Sequence, residues 1–180
     1  MYAGGGLTTL SNFVSVQCGN ASTCSGDNRT VSYGFGATYW VTRYLGVEGS
    51  YLHPTKLKIS GGDGYAFNTD FTADVWSILG KAGVQAGAMR IYGHGGVDYH
   101  EATSTTTETI DVATQKFETQ TSGWSYIFGG GAEVWFKKKA AIFGELDIAK
   151  LKGDAKGGGE AKIDDQAATV LVGIRLHVGG

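Results

Sequence analysis

The sequence predicts an all-β protein: eight antiparallel strands that run up and down and close into a barrel. Three observations predict it. Glycine and aromatic residues are spread together along the chain, 30 Gly with 4 Trp, 9 Tyr and 8 Phe in 180 residues. Disordered segments avoid aromatics, and short strands closed on themselves use both residue types. Apolar and polar residues alternate with period two in one segment after another, while no long segment carries the i, i+3, i+4 stripe of a helix. Connections alternate between tight turns and long polar stretches, which gives the two ends of the sheet unlike characters.

The first strand, "YAGGGLTTLSNFVSV" (2–16), is the weakest by alternation. The second (32–41) sets Tyr33, Phe35, Ala37, Tyr39 and Val41 against Ser32, Gly34, Gly36 and Thr38. The third (45–52) sets Leu45, Val47 and Tyr51 against Gly46, Glu48 and Ser50. The fourth (74–84) opposes Trp76, Ile78, Ala82 and Val84 to Ser77 and Lys81. In the fifth (90–99), Ile91, Val97 and Tyr99 oppose Arg90, His94 and Asp98. In the sixth (124–136), Trp124, Tyr126, Phe128, Val134 and Phe136 oppose Ser125 and Glu133. The seventh (141–149) opposes Ile142, Leu146 and Ile148 to Glu145 and Asp147, and the eighth (169–178) opposes Val170, Val172, Ile174, Leu176 and Val178 to Thr169, Gly173 and Arg175. Tight turns fall at "TRY" (42–44), "QAGAM" (85–89) and "KKKA" (137–140). Long polar loops are expected at 17–30, 53–70, 100–122 and 150–166; within the third, the Thr-rich 102–122 alternates enough to extend strands five and six.

One domain over 1–180 is expected at this length. A net charge of −2 and a pI near 6.1 give no basis for a nucleic-acid partner. No run approaches the roughly 18 apolar residues of a membrane-spanning helix. "MYAGGG" has neither the charged nor the apolar region of a signal peptide. That leaves a cytosolic protein or a mature, processed one. Cys18 and Cys24 bracket "GNAST" in a polar loop, and the expectation is a disulfide in an oxidising compartment rather than two free thiols. The spacing matches no zinc pattern and no further Cys could complete one, so neither a metal nor a cofactor is expected.

Alternation alone does not say which face of the sheet looks inward. The polar face carries glycine, serine and single charges, which suit the crowded interior of a narrow barrel. The apolar face carries bulky groups, which suit a convex surface in lipid. Tyr39, Trp40, Tyr44, Trp135 and Phe136 gather at the tight turns, and Trp124 and Tyr126 at the other end. Aromatic girdles at both interfaces are expected of a barrel in a bilayer, and segments of about ten residues are long enough to cross one.

The repeats "YGFGATYWVTRYLGVEGSYL" (33–52), "ILGKAGVQAG" (78–87), "GGGAEVWF" (129–136) and "VLVGIRLHVGG" (170–180) resemble the small eight-stranded bacterial outer-membrane barrels, the OmpA-like and OmpX-like group. The resemblance covers the whole chain. It implies a monomer in the outer membrane, surrounded by lipid, with short periplasmic turns and long extracellular loops. Such barrels commonly finish on an aromatic residue, whereas "IRLHVGG" does not; a truncation, a following domain or a divergent signal would each account for that.

Glu48, Lys81, Glu133, Glu145 and Arg175 lie on the polar face within a few residues of the tight turns. Unpaired, such charges are costly to bury; paired, they are tolerable. A salt-bridge cluster plugging the lumen is therefore expected, and the resemblance implies a candidate pore gate, with a static polar filling as the alternative. Arg90, His94, Asp98 and Asp147 extend the polar row. A His94–Asp98 pair would be catalytic beside a serine, but no compact His/Ser signature is present and no enzyme is expected. The role expected is structural, in envelope integrity, with weak passive permeation. The alternative is adhesion or partner binding through the long loops, and a lipid-modifying enzyme is the minor one.

Overall fold

The computed structural model describes residues 1–11, 23–62, 66–110, 113–136, 139–156 and 162–176. Among these, ten strands follow one another: β1 (Tyr2–Leu10), β2 (Thr23–Gly26), β3 (Arg29–Trp40), β4 (Leu45–Pro54), β5 (Leu57–Gly62), β6 (Ala66–Ala86), β7 (Met89–Ile110), β8 (Ala113–Phe136), β9 (Ala140–Lys156) and β10 (Lys162–Leu176). All pairings are antiparallel. They run β1–β3–β4–β6–β7–β8–β9–β10, and β10 returns to β1, with Tyr2 opposite Arg175 and Leu10 opposite Ala167. This is an eight-membered ring of strands, closed so that no edge faces lipid. The two extra strands, β2 and β5, lie outside that ring of pairings and add to it through β6.

Eight of these strands are the ones the alternation predicts. Residues 12–16 of the first and 177–178 of the last lie outside the described residues. The turns are as short as expected: β6 and β7 are joined by Gly87 and Ala88 alone, and Gly87 takes φ 62°, the left-handed conformation a two-residue hairpin turn uses.

Two of the expected loops are largely strand instead. Residues 57–62 form β5, and 66–73 extend β6. Residues 150–156 and 162–166 extend β9 and β10 against each other. The reason is visible along β6. From Trp76 towards the turn the outward positions are apolar, with Trp76, Ile78 and Val84 exposed, while the inward ones mix Leu79 with the polar Ser77 and Lys81, all buried. Above Asp74 the polarity reverses: Phe67 and Phe71 are buried, and Asn68 is exposed. Leu57 and Ile59 of β5 join the same inward cluster. The barrel is thus inside-out where it meets lipid and an ordinary water-facing sheet where it projects above. The strand period continues through the switch; only the meaning of each face changes.

Candidate functional site: a charged plug in the lumen

The exposed outer surface of the ring is apolar. Ile78 is 70 % exposed, and Phe35, Phe128, Leu146 and Val172 are exposed as well. At the outer end a chain of aromatic contacts runs around the wall from strand to strand. Tyr51 of β4 lies 5.1 Å from Phe35 and 5.6 Å from Trp76; Trp76 lies 6.1 Å from Tyr99, and Tyr99 lies 5.3 Å from Trp124. Tyr126 is exposed beside it. At the turn end Tyr39, Tyr44 and Phe136 are exposed.

Trp40 and Trp135 do not belong to a girdle. Each follows or precedes an outward residue, and neighbours on a strand point to opposite faces. Trp40 therefore turns inward and takes the Arg90 guanidinium 4.2 Å above its ring. Trp135 donates its indole N–H to Glu133 Oε1 at 2.9 Å. The two tryptophans help line the turn-end mouth of the lumen.

Above the outer girdle, Asp74 accepts hydrogen bonds from Tyr51 and His53. Partial burial pushes its carboxyl up, but these two bonds and the His53 charge outweigh it and hold it below the usual carboxylate range.

Inside, six charges converge. Lys81 Nζ lies 2.6 Å from Glu48 Oε2 and 2.6 Å from Glu145 Oε1. Arg175 lies 2.5 Å from Glu133, 3.3 Å from Glu145 and 3.4 Å from Glu48. Arg90 lies 3.1 Å from the other Glu133 oxygen. Three carboxylates thus face three cations, and the set carries no net charge. This decides the energetics: an unpaired ion buried here would cost several kcal/mol, about 3–5 when a partner is removed, whereas a balanced cluster with spare hydrogen bonds is tolerated. The spare bonds come from Tyr2 Oη to Glu48 at 3.0 Å, Tyr92 Oη to Glu145 at 2.7 Å, and the Thr38 hydroxyl to Glu48. Aromatic faces add to the cations' surroundings: Lys81 lies 4.4 Å over Tyr92, and Arg175 lies 5.0 Å over Tyr2 and 5.1 Å over Phe143.

Register explains how groups on non-neighbouring strands meet. Tyr92, Gly131 and Glu145 form one row across β7, β8 and β9, and so do His94, Gly129 and Asp147. The middle residue of each row is glycine. The outer two side chains therefore join over it, Tyr92 to Glu145 and His94 Nε2 to Asp147 at 2.5 Å. A Cβ at Gly129 would collide with both His94 and Asp147, and one at Gly131 would lie 2.8 Å from Glu145 Cγ.

The five charges named from the sequence are brought together. Arg90 joins them through Glu133, closer to the centre than its secondary place in the polar row implied. His94 pairs with Asp147, not with Asp98. Asp98 sits higher, beside Ser125 and His100, and is 1 % exposed. Tyr2, Tyr92 and Phe143 are absent from the expected site. Parity would have found two of them, since Tyr92 shares a face with Arg90 and His94, and Phe143 shares one with Glu145. Cys24 lies on β2 and is not a free thiol; Cys18 lies outside the described residues, and the expected Cys18–Cys24 pairing does too. The described residues hold no group of three or more His, Cys, Asp or Glu able to hold a metal ion.

A closed ring of eight strands, apolar outside and charged within, is the class of the membrane-spanning β-barrels. The family described as "Outer membrane protein beta-barrel domain" matches residues 1–175, and the chain belongs to it; its place is the bacterial outer membrane. Among solved structures it is similar to the outer membrane protein OprG of Pseudomonas aeruginosa, with TM-score 0.56, 13 % identity, and 96 % of this chain and 92 % of that one covered. It is also similar to Neisserial surface protein A, with TM-score 0.54, 9 % identity, and 97 % and 95 % covered. Ail, the attachment invasion locus protein of Yersinia pestis, aligns more loosely, with TM-score 0.45, 12 % identity, and 96 % and 94 % covered. No curated protein matches the sequence. At these identities the likeness is one of fold.

Proposed function

We propose that this barrel is a structural component of the outer membrane whose lumen is sealed at rest by the charged plug, with permeation limited to rare rearrangements of that plug. The observation that carries the reading is Arg175, which reaches Glu133, Glu145 and Glu48 from three other strands and so bars the lumen. A narrow eight-stranded lumen is filled by side chains in any case, and a neutral, mutually paired filling favours a wall over a channel. In planar bilayers the wild-type protein should give brief, small openings at most, and Glu48→Ala should change their frequency by freeing Lys81 and Arg175. A steady open conductance in the wild type would sink the structural reading.

A second reading rests on the projecting wall. The β7–β8 hairpin continues about ten residues beyond Tyr99 and Trp124, with exposed residues along 113–120 of β8. A surface partner would meet that hairpin first. Deleting residues 104–119 should abolish such binding while leaving the lipid-embedded ring folded. Binding that survives the deletion would rule the hairpin out.

A further inference from the structure

Above the plug lies a cavity of about 100 Å³, a space that the sealed-barrel reading does not use. Leu79, Ala102, Ile127 and Ala149 form apolar walls, and Leu57 and Phe71 lie on its outer side. Among the polar groups of the lining, two carry a buried atom without a partner. Asp98 is 1 % and His100 3 % exposed, at consecutive inward positions of β7. Asp98 Oδ1 and His100 Nε2 are buried and have no hydrogen-bond partner. Ser125 Oγ lies 3.3 Å from His100 Nδ1, which leaves Nε2 as the uncommitted ring nitrogen of a residue that lines the cavity.

We propose that this cavity binds a small apolar molecule carrying a primary ammonium group. A carboxylate oxygen held out of water with no donor is costly, and a cationic donor relieves that cost best. Among the described residues, the lumen cations Lys81, Arg90 and Arg175 are committed below, each held by glutamates. A primary ammonium offers three N–H donors. One serves Asp98 Oδ1 and one serves His100 Nε2, while the carbon chain packs on Leu79, Ile127 and Ala149. A cavity of about 100 Å³ admits only a small molecule, so the fitting ligand is a short chain, of which n-butylammonium is the example. This inference is independent of whether the plug conducts.

The test is a titration of the folded full chain in detergent micelles with n-butylammonium, followed by the amide resonances of Asp98, His100 and Ser125. 1-Butanol, a neutral molecule of the same length, is the control for partition into detergent. Saturable shifts are expected with n-butylammonium and at least tenfold weaker binding with 1-butanol. Asp98→Asn should weaken n-butylammonium at least tenfold. Ala102→Leu, which narrows the cavity without touching Asp98, should abolish binding, and the exposed Glu118→Gln should leave it unchanged. Should Asp98→Asn fail to fold, Ala102→Leu decides. Equal response to both probes would mean an apolar or merely hydrated cavity and would overturn the proposal. So would no response to either probe, or n-butylammonium binding that survives in Ala102→Leu.

Discussion

Arg175→Ala is expected to destabilise the folded barrel by about 3–5 kcal/mol, the largest effect of any single charge removal in the lumen. The arginine side chain is buried and contacts all three glutamates. Its loss leaves three carboxylates facing Lys81 and Arg90, so one negative charge stays buried without compensation. The cost comes from the stranded carboxylate more than from the lost attraction. That origin is separable by a second variant: Arg175→Met with Glu133→Gln removes a charge from each side and should recover most of the loss. Urea unfolding in lipid vesicles, monitored by tryptophan fluorescence, measures both. A loss under 1 kcal/mol for Arg175→Ala would mean that water reaches the plug and screens it.

Leu146→Arg is expected to cost about 2–4 kcal/mol, the penalty of an arginine on the lipid face near the bilayer midplane. Leu146 is 50 % exposed, on β9, between Gly130 and Val170 of the flanking strands. In a water-soluble barrel the same exposed position would tolerate arginine almost without effect. The matched control is Asn68→Arg. Asn68 also points outward, but from the part of β6 above the girdle, and should change stability by no more than about 0.5 kcal/mol. The difference between the two is what the reversal of polarity along the wall predicts.

Much of the ring was legible in the sequence because period-two alternation marks a strand whichever face is wet. Ile142, Leu146 and Ile148 against Glu145 and Asp147 gave both the strand and its inward charges. The projecting strands were harder to read. Above Asp74 apolar residues such as Phe67 and Phe71 point inward, and the sparse pairs in "KLKIS" and "AFNTDFT" look like loop when apolar-out strands are sought. Trp40 and Trp135 were misplaced for a different reason. Girdles are recognised by residue type near a turn, but the face is set by parity, and both share parity with residues of the plug. The joining of His94 to Asp147 could not be read at all. It depends on β7, β8 and β9 aligning so that Gly129 falls between them, and cross-strand register is not written in any single segment.

The inside-out arrangement stands or falls on a nitroxide scan along 124–136 of β8, one spin label per position, in a Cys18→Ser/Cys24→Ser background in lipid vesicles. Collision with oxygen, which concentrates in the bilayer, should peak at Tyr126, Phe128 and Val134 and fall to a minimum at Ser125, Ile127 and Glu133, with a period of two. Peaks at the glutamate-bearing parity, or no period at all, would contradict a barrel that turns its apolar face to lipid and its charges to the lumen.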